Sequence, residues 1–247
     1  AQGVGLETSQ LFATLGYHVV MTDVQLLDGP VACLQAGGGQ VEGMVGDVAS
    51  EAFVESLAAR VADVHGAADV LVNNAGISMI QPAEDTTADQ WQRVMNVNLL
   101  GPFLLCKHFG RQMLARRSGS IVNVASVAGL GGVIHRAAYN ASKHALEAIG
   151  DSLRQEMRPF GVEVSIIEPG AIATPIWDKG KAAVIWSETT VTTPAGAPLW
   201  TQKRSIFARS EGGFGGERGP STSAAPPDRA PDLELDIPTL PQQALLY

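Results

Sequence analysis

The sequence predicts a doubly wound α/β fold on a parallel sheet. Three observations carry this expectation. Short β-branched runs alternate with longer helical patterns up to about residue 178, a glycine pair heads the first helical stretch, and an aspartate closes the strand that follows.

The elements can be taken in order. Gly3 and Gly5 precede a helical stretch through Leu11, Phe12 and Leu15, which Gly16 stops. Strands are expected over Tyr17–Asp23, Val41–Val45, Val70–Asn74, Ser120–Ala125 and Val162–Ile167. Thr87 and Gln90 have capping-box spacing ahead of Trp91, Val94 and Met95, so a helix should open there. A second long helix should run from about Tyr139 to Met157, with Leu146, Ile149, Leu153 and Met157 on one face and Gly161 behind its end.

Composition bounds the function. The chain has 247 residues, 45% hydrophobic and 17% charged, enough for one sizeable soluble domain. A net charge of −8 argues against nucleic acid or an anionic membrane as partner, since both need a basic face. No apolar run approaches a membrane span, and no basic-then-apolar leader opens the chain, so a cytoplasmic location is expected. Cys33 and Cys106 lack metal-like spacing and are expected as reduced, buried thiols. His18, His65, His108, His135 and His144 share no metal-ligand spacing, so no metal is expected; His135, between Ser126 and Tyr139, could line a substrate pocket.

Beyond Asp178 the periodic pattern dissolves. Pro194, Pro198, Pro220, Pro226, Pro227, Pro231, Pro238 and Pro241 make eight of the 14 prolines, and glycines cluster from Gly212 to Gly219. The chain therefore divides into a catalytic domain over 1–178 and a Pro/Gly-rich tail over 179–247, expected to be irregular. A shifted reading frame is one source of such a tail.

Glycines at a helix start let backbone approach a pyrophosphate, and the helix N-terminus offers free N–H groups and a favourable dipole. Two glycines alone also make an ordinary turn. Asp23 adds weight: it ends the strand Tyr17–Asp23, 18 residues after Gly5, close to the spacing of a ribose-binding carboxylate. A carboxylate there accepts from both ribose hydroxyls and repels a 2′-phosphate, and no Arg or Lys lies between Gly3 and Asp23 to offset this. NAD is expected over NADP, the alternative for Asp23 being a turn cap.

Tyr139 and Lys143 are four residues apart on a helix, so they share a face. A phenol beside a fixed ammonium suits general acid–base chemistry, the ammonium drawing the phenol's pKa down. Such pairs also arise by chance. Ser126 ends an apolar strand 13 residues earlier, where a parallel sheet opens its crevice.

Together these residues resemble the classical short-chain dehydrogenase/reductase family, whose domain is a Rossmann fold. Gly3-x-Gly5 looks like the last two glycines of its T-G-x-x-x-G-x-G loop, Asp47 its adenine-contacting aspartate, and Asn73-Asn74-Ala75-Gly76 its N-N-A-G motif. Ser126, Tyr139 and Lys143 match its triad, and Asn98 its fourth catalytic member; Asn96 fits less well. Pro169-Gly170-Ala171-Ile172-Ala173-Thr174 matches its P-G-x-x-x-T loop.

The resemblance implies an NAD-dependent oxidoreductase acting on a small-molecule alcohol or ketone. Tyr139 would exchange a proton with the substrate oxygen, Ser126 would stabilise charge on it, and Lys143 would hold the nicotinamide ribose. Asn98 would position a water joining Lys143 to solvent, and Ile172 and Thr174 would hold the carboxamide. It also implies that the family's first strand is missing here, leaving the second and fourth strands without their shared neighbour, and that helices around Trp91–Met113 and Tyr139–Met157 pair subunits into a homodimer or homotetramer. A catalytically inactive nucleotide-binding or scaffolding protein of the same family is the other reading.

Overall fold

Helix and strand alternate along the first 170 residues, and each expected strand forms to within a residue of its expected ends. The structure is a computed structural model that describes residues 1–170, residue 172, and the backbone of residues 182–192 and 198–209. The elements are α1 (Gly3–Thr14), β1 (His18–Asp23), α2 (Asp28–Ala36), β2 (Gln40–Val45), α3 (Glu51–His65) and β3 (Val70–Asn73). They continue with α4 (Ala88–Met95), α5 (Gly101–Arg116), β4 (Gly119–Val124), α6 (Ala137–Met157) and β5 (Val162–Ile167).

Local chemistry sets several boundaries. The Thr87 hydroxyl accepts from Gln90 N at 3.2 Å while the Gln90 side chain accepts from Thr87 N at 2.9 Å, which completes the expected capping box of α4. Ser50 caps α3 by accepting from Phe53 N. Between α4 and α5 the helix widens into a π turn over Asn96–Leu100. Such a turn rotates the following residues relative to an unbroken helix. Here Asn98 ends up fully buried, while Asn96 accepts a hydrogen bond from Gln92 in the half-exposed layer.

Two parallel sheets form. β1 pairs with β2, from His18 opposite Gln40 to Asp23 opposite Val45. β4 stands between β3 and β5, all parallel. Among the described residues no strand bonds β1 to β3. Val20 and Met21 on one side and Leu71 and Val72 on the other line a single cavity of about 1160 Å³.

The main core packs α3 and α5 against β3, β4 and β5. Val54, Met113, Ile121 and Val162 there are wholly excluded from solvent. Each such side chain contributes roughly 1.5–3 kcal/mol of burial. A smaller cluster of Met21, Leu27, Leu34 and Val41 holds α2 to the β1–β2 pair.

Two expectations are corrected. Cys106 is buried but Cys33 is exposed, because α2 buries only Leu34 and turns its neighbour outward. The tail is not irregular throughout: β6 (Ala182–Thr192) and β7 (Pro198–Arg209) form an antiparallel hairpin that is a sheet of its own. The runs from Val184 to Trp186 and from Thr189 to Thr192 are β-branched or aromatic, as strands prefer, and Pro198 falls at a strand start, where proline is tolerated. His18 and His65, remote in sequence, meet at Glu42. No helix among the described residues is long and apolar enough to cross a membrane.

Candidate active site

The C-terminal ends of the strands and the start of α1 open onto the same cavity. Gly3 has φ +57°, in the left-handed region where a side chain is strained. A Cβ on Gly5 would come 2.6 Å from Asn74 Nδ2. The two glycines thus let α1 start tightly and lie against the loop after β3. Gln2, at the N-cap position, makes no side-chain cap, so no side chain of this residue covers the first N–H groups of α1. Gly3, Gly5, Asn74, Ala75 and Gly76 all line the cavity. Such a bare helix start beside a close-packed glycine turn fits a dinucleotide pyrophosphate.

Asp23 closes β1 at the same mouth. Its carboxylate accepts from Gln25 N at 3.0 Å and lies 3.1 Å from the Ala1 ammonium. Asp47, just beyond β2, accepts from Ala49 N at 2.9 Å and also lines the cavity. Pro169, Gly170 and Ile172 form part of the opposite wall. Thr174 lies outside the described residues.

The reacting centre is built by β4 and α6. Ser126 follows β4 and accepts from Ala128 N at 3.2 Å, which fixes the short turn that presents its hydroxyl. Tyr139 and Lys143 lie one turn apart near the start of α6, and both are buried. Lys143 Nζ donates to Val124 O at 2.7 Å and stands 5.8 Å from the centre of the Tyr139 ring. Burial brings the Lys143 ammonium down to about 8, against a weaker upward pull from Glu147. Burial also pushes the Tyr139 phenol above its ordinary value, while a hydrogen bond with Ser126 and the charge of Arg136 draw it back.

Ser126 and Arg136 are the groups that draw the Tyr139 phenol down, while the Lys143 ammonium donates to the Val124 carbonyl.

Asn98 stands behind the cavity wall. Its Oδ1 accepts from Ile77 N at 2.8 Å, and its Nδ2 donates to Ile77 O at 2.9 Å and to Ser142 Oγ at 3.1 Å. It holds the backbone after Gly76 and so braces the wall that faces Lys143. His135 adopts φ +59°, and its carbonyl accepts from Gln81 N at 2.8 Å; it is not among the residues that line the cavity.

Two residues escape a reading of the sequence alone. Ser142 donates to Tyr139 O at 2.7 Å and receives Asn98, joining the two elements through one hydroxyl. Its place three residues after Tyr139, on the same helical face, is the available signal. Arg136, at the N-cap of α6, is 5% exposed, and its guanidinium donates to Ser78 Oγ at 3.4 Å. Nothing in its sequence neighbourhood marks it for burial.

A parallel α/β sheet, a glycine-headed helix and a buried Ser–Tyr–Lys group at the strand ends define an oxidoreductase of the dinucleotide-binding class. The chain belongs to the short-chain dehydrogenase family, whose sequence profile matches residues 1–184. An NAD-dependent glycerol dehydrogenase of Listeria innocua is 31% identical over 196 residues, 79% of this chain and 77% of that protein. A metagenomic short-chain oxidoreductase solved in complex with NADP superposes with a TM-score of 0.66 at 34% identity, covering 69% of this chain and 78% of that one. A stretch of 74 residues, 30% of the chain, is 74% identical to an enoyl-CoA hydratase of Mycobacterium tuberculosis, and spans only 26% of that protein.

Proposed function

We propose that this chain is an NAD-dependent dehydrogenase that interconverts a secondary alcohol and its ketone by a Ser126–Tyr139–Lys143 mechanism braced by Asn98. The observation that carries the reading is the single cavity that joins the start of α1 and Asp23 to Ser126, Tyr139 and Lys143. Bound nicotinamide would supply the hydride acceptor or donor at its C4. Gly3, Gly5 and the first N–H groups of α1 would take the pyrophosphate, Asp23 the adenosine ribose, Asp47 the adenine side, and Pro169, Gly170, Ile172 and Thr174 the carboxamide.

The side chains divide the remaining work. Tyr139 gives its phenolic proton to the carbonyl oxygen in reduction and takes the carbinol proton in oxidation. Ser126 donates to that same oxygen and stabilises its charge. Lys143, with a pKa near 8, exchanges protons near neutral pH and binds the nicotinamide ribose. The test is reduction of NAD by the full chain with a panel of secondary alcohols, set beside NAD binding. Turnover lost in Tyr139→Phe with NAD binding retained supports the mechanism. NAD binding without turnover on any alcohol supports the inactive, nucleotide-binding reading.

The hydratase similarity narrows the substrate. We infer that it falls mainly in the C-terminal part of the chain, most of which the dehydrogenase match leaves uncovered. A shifted reading frame would not retain 74% identity to another protein, so on this reading the tail is read in frame. Hydration of a 2-enoyl thioester makes a 3-hydroxyacyl thioester, whose carbinol is a secondary alcohol of the kind the Tyr139 site oxidises. Faster turnover of 3-hydroxybutyryl-CoA than of glycerol would support this narrowing, and the reverse order would refute it. Assembly is part of the proposal: Trp91, Leu100 and Phe103 leave 38–46% of their surface exposed along α4, the π turn and α5, an apolar face suited to a two-fold partner.

A further inference from the structure

The end of the sheet opposite the active site carries a second group of chemically capable side chains. His18 is the first residue of β1, Glu42 lies in β2, and His65 is the last residue of α3. The parallel register sets Val20 opposite Glu42. Period-two alternation then sends His18, Val20 and Glu42 to the same face of the sheet. α3 covers that face and ends with His65 above it.

The three side chains converge on one point. His65 Nε2 lies 2.6 Å and His18 Nε2 3.6 Å from the same oxygen, Glu42 Oε1. The imidazole centres are 4.1 Å apart, and the three ligand atoms all lie within 4.8 Å of one another. Arg60 takes the other carboxylate oxygen at 2.8 Å, which orients Glu42 and leaves Oε1 to the histidines. If both imidazoles are neutral with the proton on Nδ1, three lone pairs face a common centre. Without an ion, His65 Nε2–H can donate to Glu42 Oε1; with the proton on Nδ1 the same three atoms are a ligand set for a cation.

We propose that His18, Glu42 and His65 form a site for Zn²⁺, with water completing the coordination. Two imidazoles and one carboxylate suit a borderline divalent metal, and tetrahedral ligands at Zn–N and Zn–O distances of 2.0–2.2 Å stand about 3.3 Å apart. The 3.6 Å separation is already close to this, and His65 need move outward by less than the width of an atom. His18 is 38% exposed, which leaves a path for the ion and room for water. His18 and His65 line the far end of the same cavity that holds Tyr139 and Lys143, at the opposite end of β1 from Asp23. His18 and Asp23 are the two ends of β1, about 17 Å apart at the rise of a strand. Zn²⁺ there would clamp β1, β2 and α3 together, beside the strand edge that has no partner toward β3.

The test is titration of the full chain with Zn²⁺ by calorimetry and thermal unfolding, with Co²⁺ as a visible probe of coordination. One ion should bind, raise the melting temperature, and give the intense bands of tetrahedral Co²⁺. His18→Gln and His65→Gln should each bind at least about tenfold more weakly, while His144→Gln and Cys33→Ser should bind as the parent does. His18→Gln alters only an exposed strand start, so retained circular dichroism separates ligand loss from unfolding. Binding unchanged in His18→Gln, binding lost in Cys33→Ser, or no rise in melting temperature with millimolar Zn²⁺ would each overturn the proposal.

Discussion

Lys143 Nζ donates to the carbonyl of Val124 at 2.7 Å, tying α6 to the last residue of β4. This bond places an ammonium in a buried setting, and the cost of burial is what brings it down to about 8. In the unfolded chain the same group keeps its ordinary value of 10.5. Between those values the unfolded state binds more protons, so this group's contribution to stability rises with pH. Relative to Lys143→Met, the parent should gain up to about 3 kcal/mol of stability from pH 7.5 to pH 10.5. Denaturant unfolding of both proteins across that range measures it, and a difference that stays flat would show that burial does not set the lysine's pKa.

The π turn makes a second prediction about two asparagines that sequence spacing barely separates. Asn98→Ala leaves Ile77 N and Ile77 O without their partner and frees Ser142 Oγ. The loss should be about 2–4 kcal/mol. Asn96→Ala, which removes one exposed bond to Gln92, should stay within about 0.5 kcal/mol. Equal losses in chemical denaturation would mean that the turn does not distinguish the two positions.

The cysteines differ as sharply. Burial pushes the Cys106 thiol up to about 12, offset only in part by the Asn73 side chain, whereas Cys33 is exposed. Reaction depends on thiolate and access. Iodoacetamide at pH 8 should label Cys33 alone, and Cys106 only once the chain is unfolded. Mass spectrometry showing both labelled at similar rates in the native protein would contradict the buried placement.

Much of this was legible beforehand, for identifiable reasons. The five parallel strands follow from β-branched runs that a buried sheet requires, and the α4 boundary from the reciprocal bonds that Thr87 and Gln90 can make. Ser126, Tyr139 and Lys143 could be picked out because strand end and helical repeat bring them together locally. What was hidden depends on long-range packing. Arg136 is buried by its surroundings, and His18 meets His65 only because the register of β1 with β2 and the end of α3 coincide at Glu42. The hairpin is obscured in the sequence because proline content argues against strands, whereas Pro198 stands at a strand start, where proline is tolerated.

Asp23 makes the last prediction, about cofactor choice. It stands at the C-terminal end of β1, at the mouth lined by Gly3 and Gly5, with its side chain 26% exposed. A carboxylate at that point offers two acceptors to a ribose diol and meets a 2′-phosphate with like charge. Its sequence neighbours Thr22, Val24 and Gln25 carry no positive charge, and the Ala1 ammonium at 3.1 Å is paired with the carboxylate itself. The parent should therefore bind NAD more tightly than NADP. Asp23→Ala removes the repulsion and the acceptors together, and should narrow the preference by weakening NAD and admitting NADP. Asp23→Arg supplies a cation in place of the carboxylate and should turn the preference toward NADP, since a guanidinium binds phosphate through paired hydrogen bonds. Binding measured by quenching of protein fluorescence gives both constants without needing a substrate. If the parent binds the two cofactors equally, or if Asp23→Arg leaves their ratio where it was, Asp23 does not set the choice and the ribose lies elsewhere in the cavity.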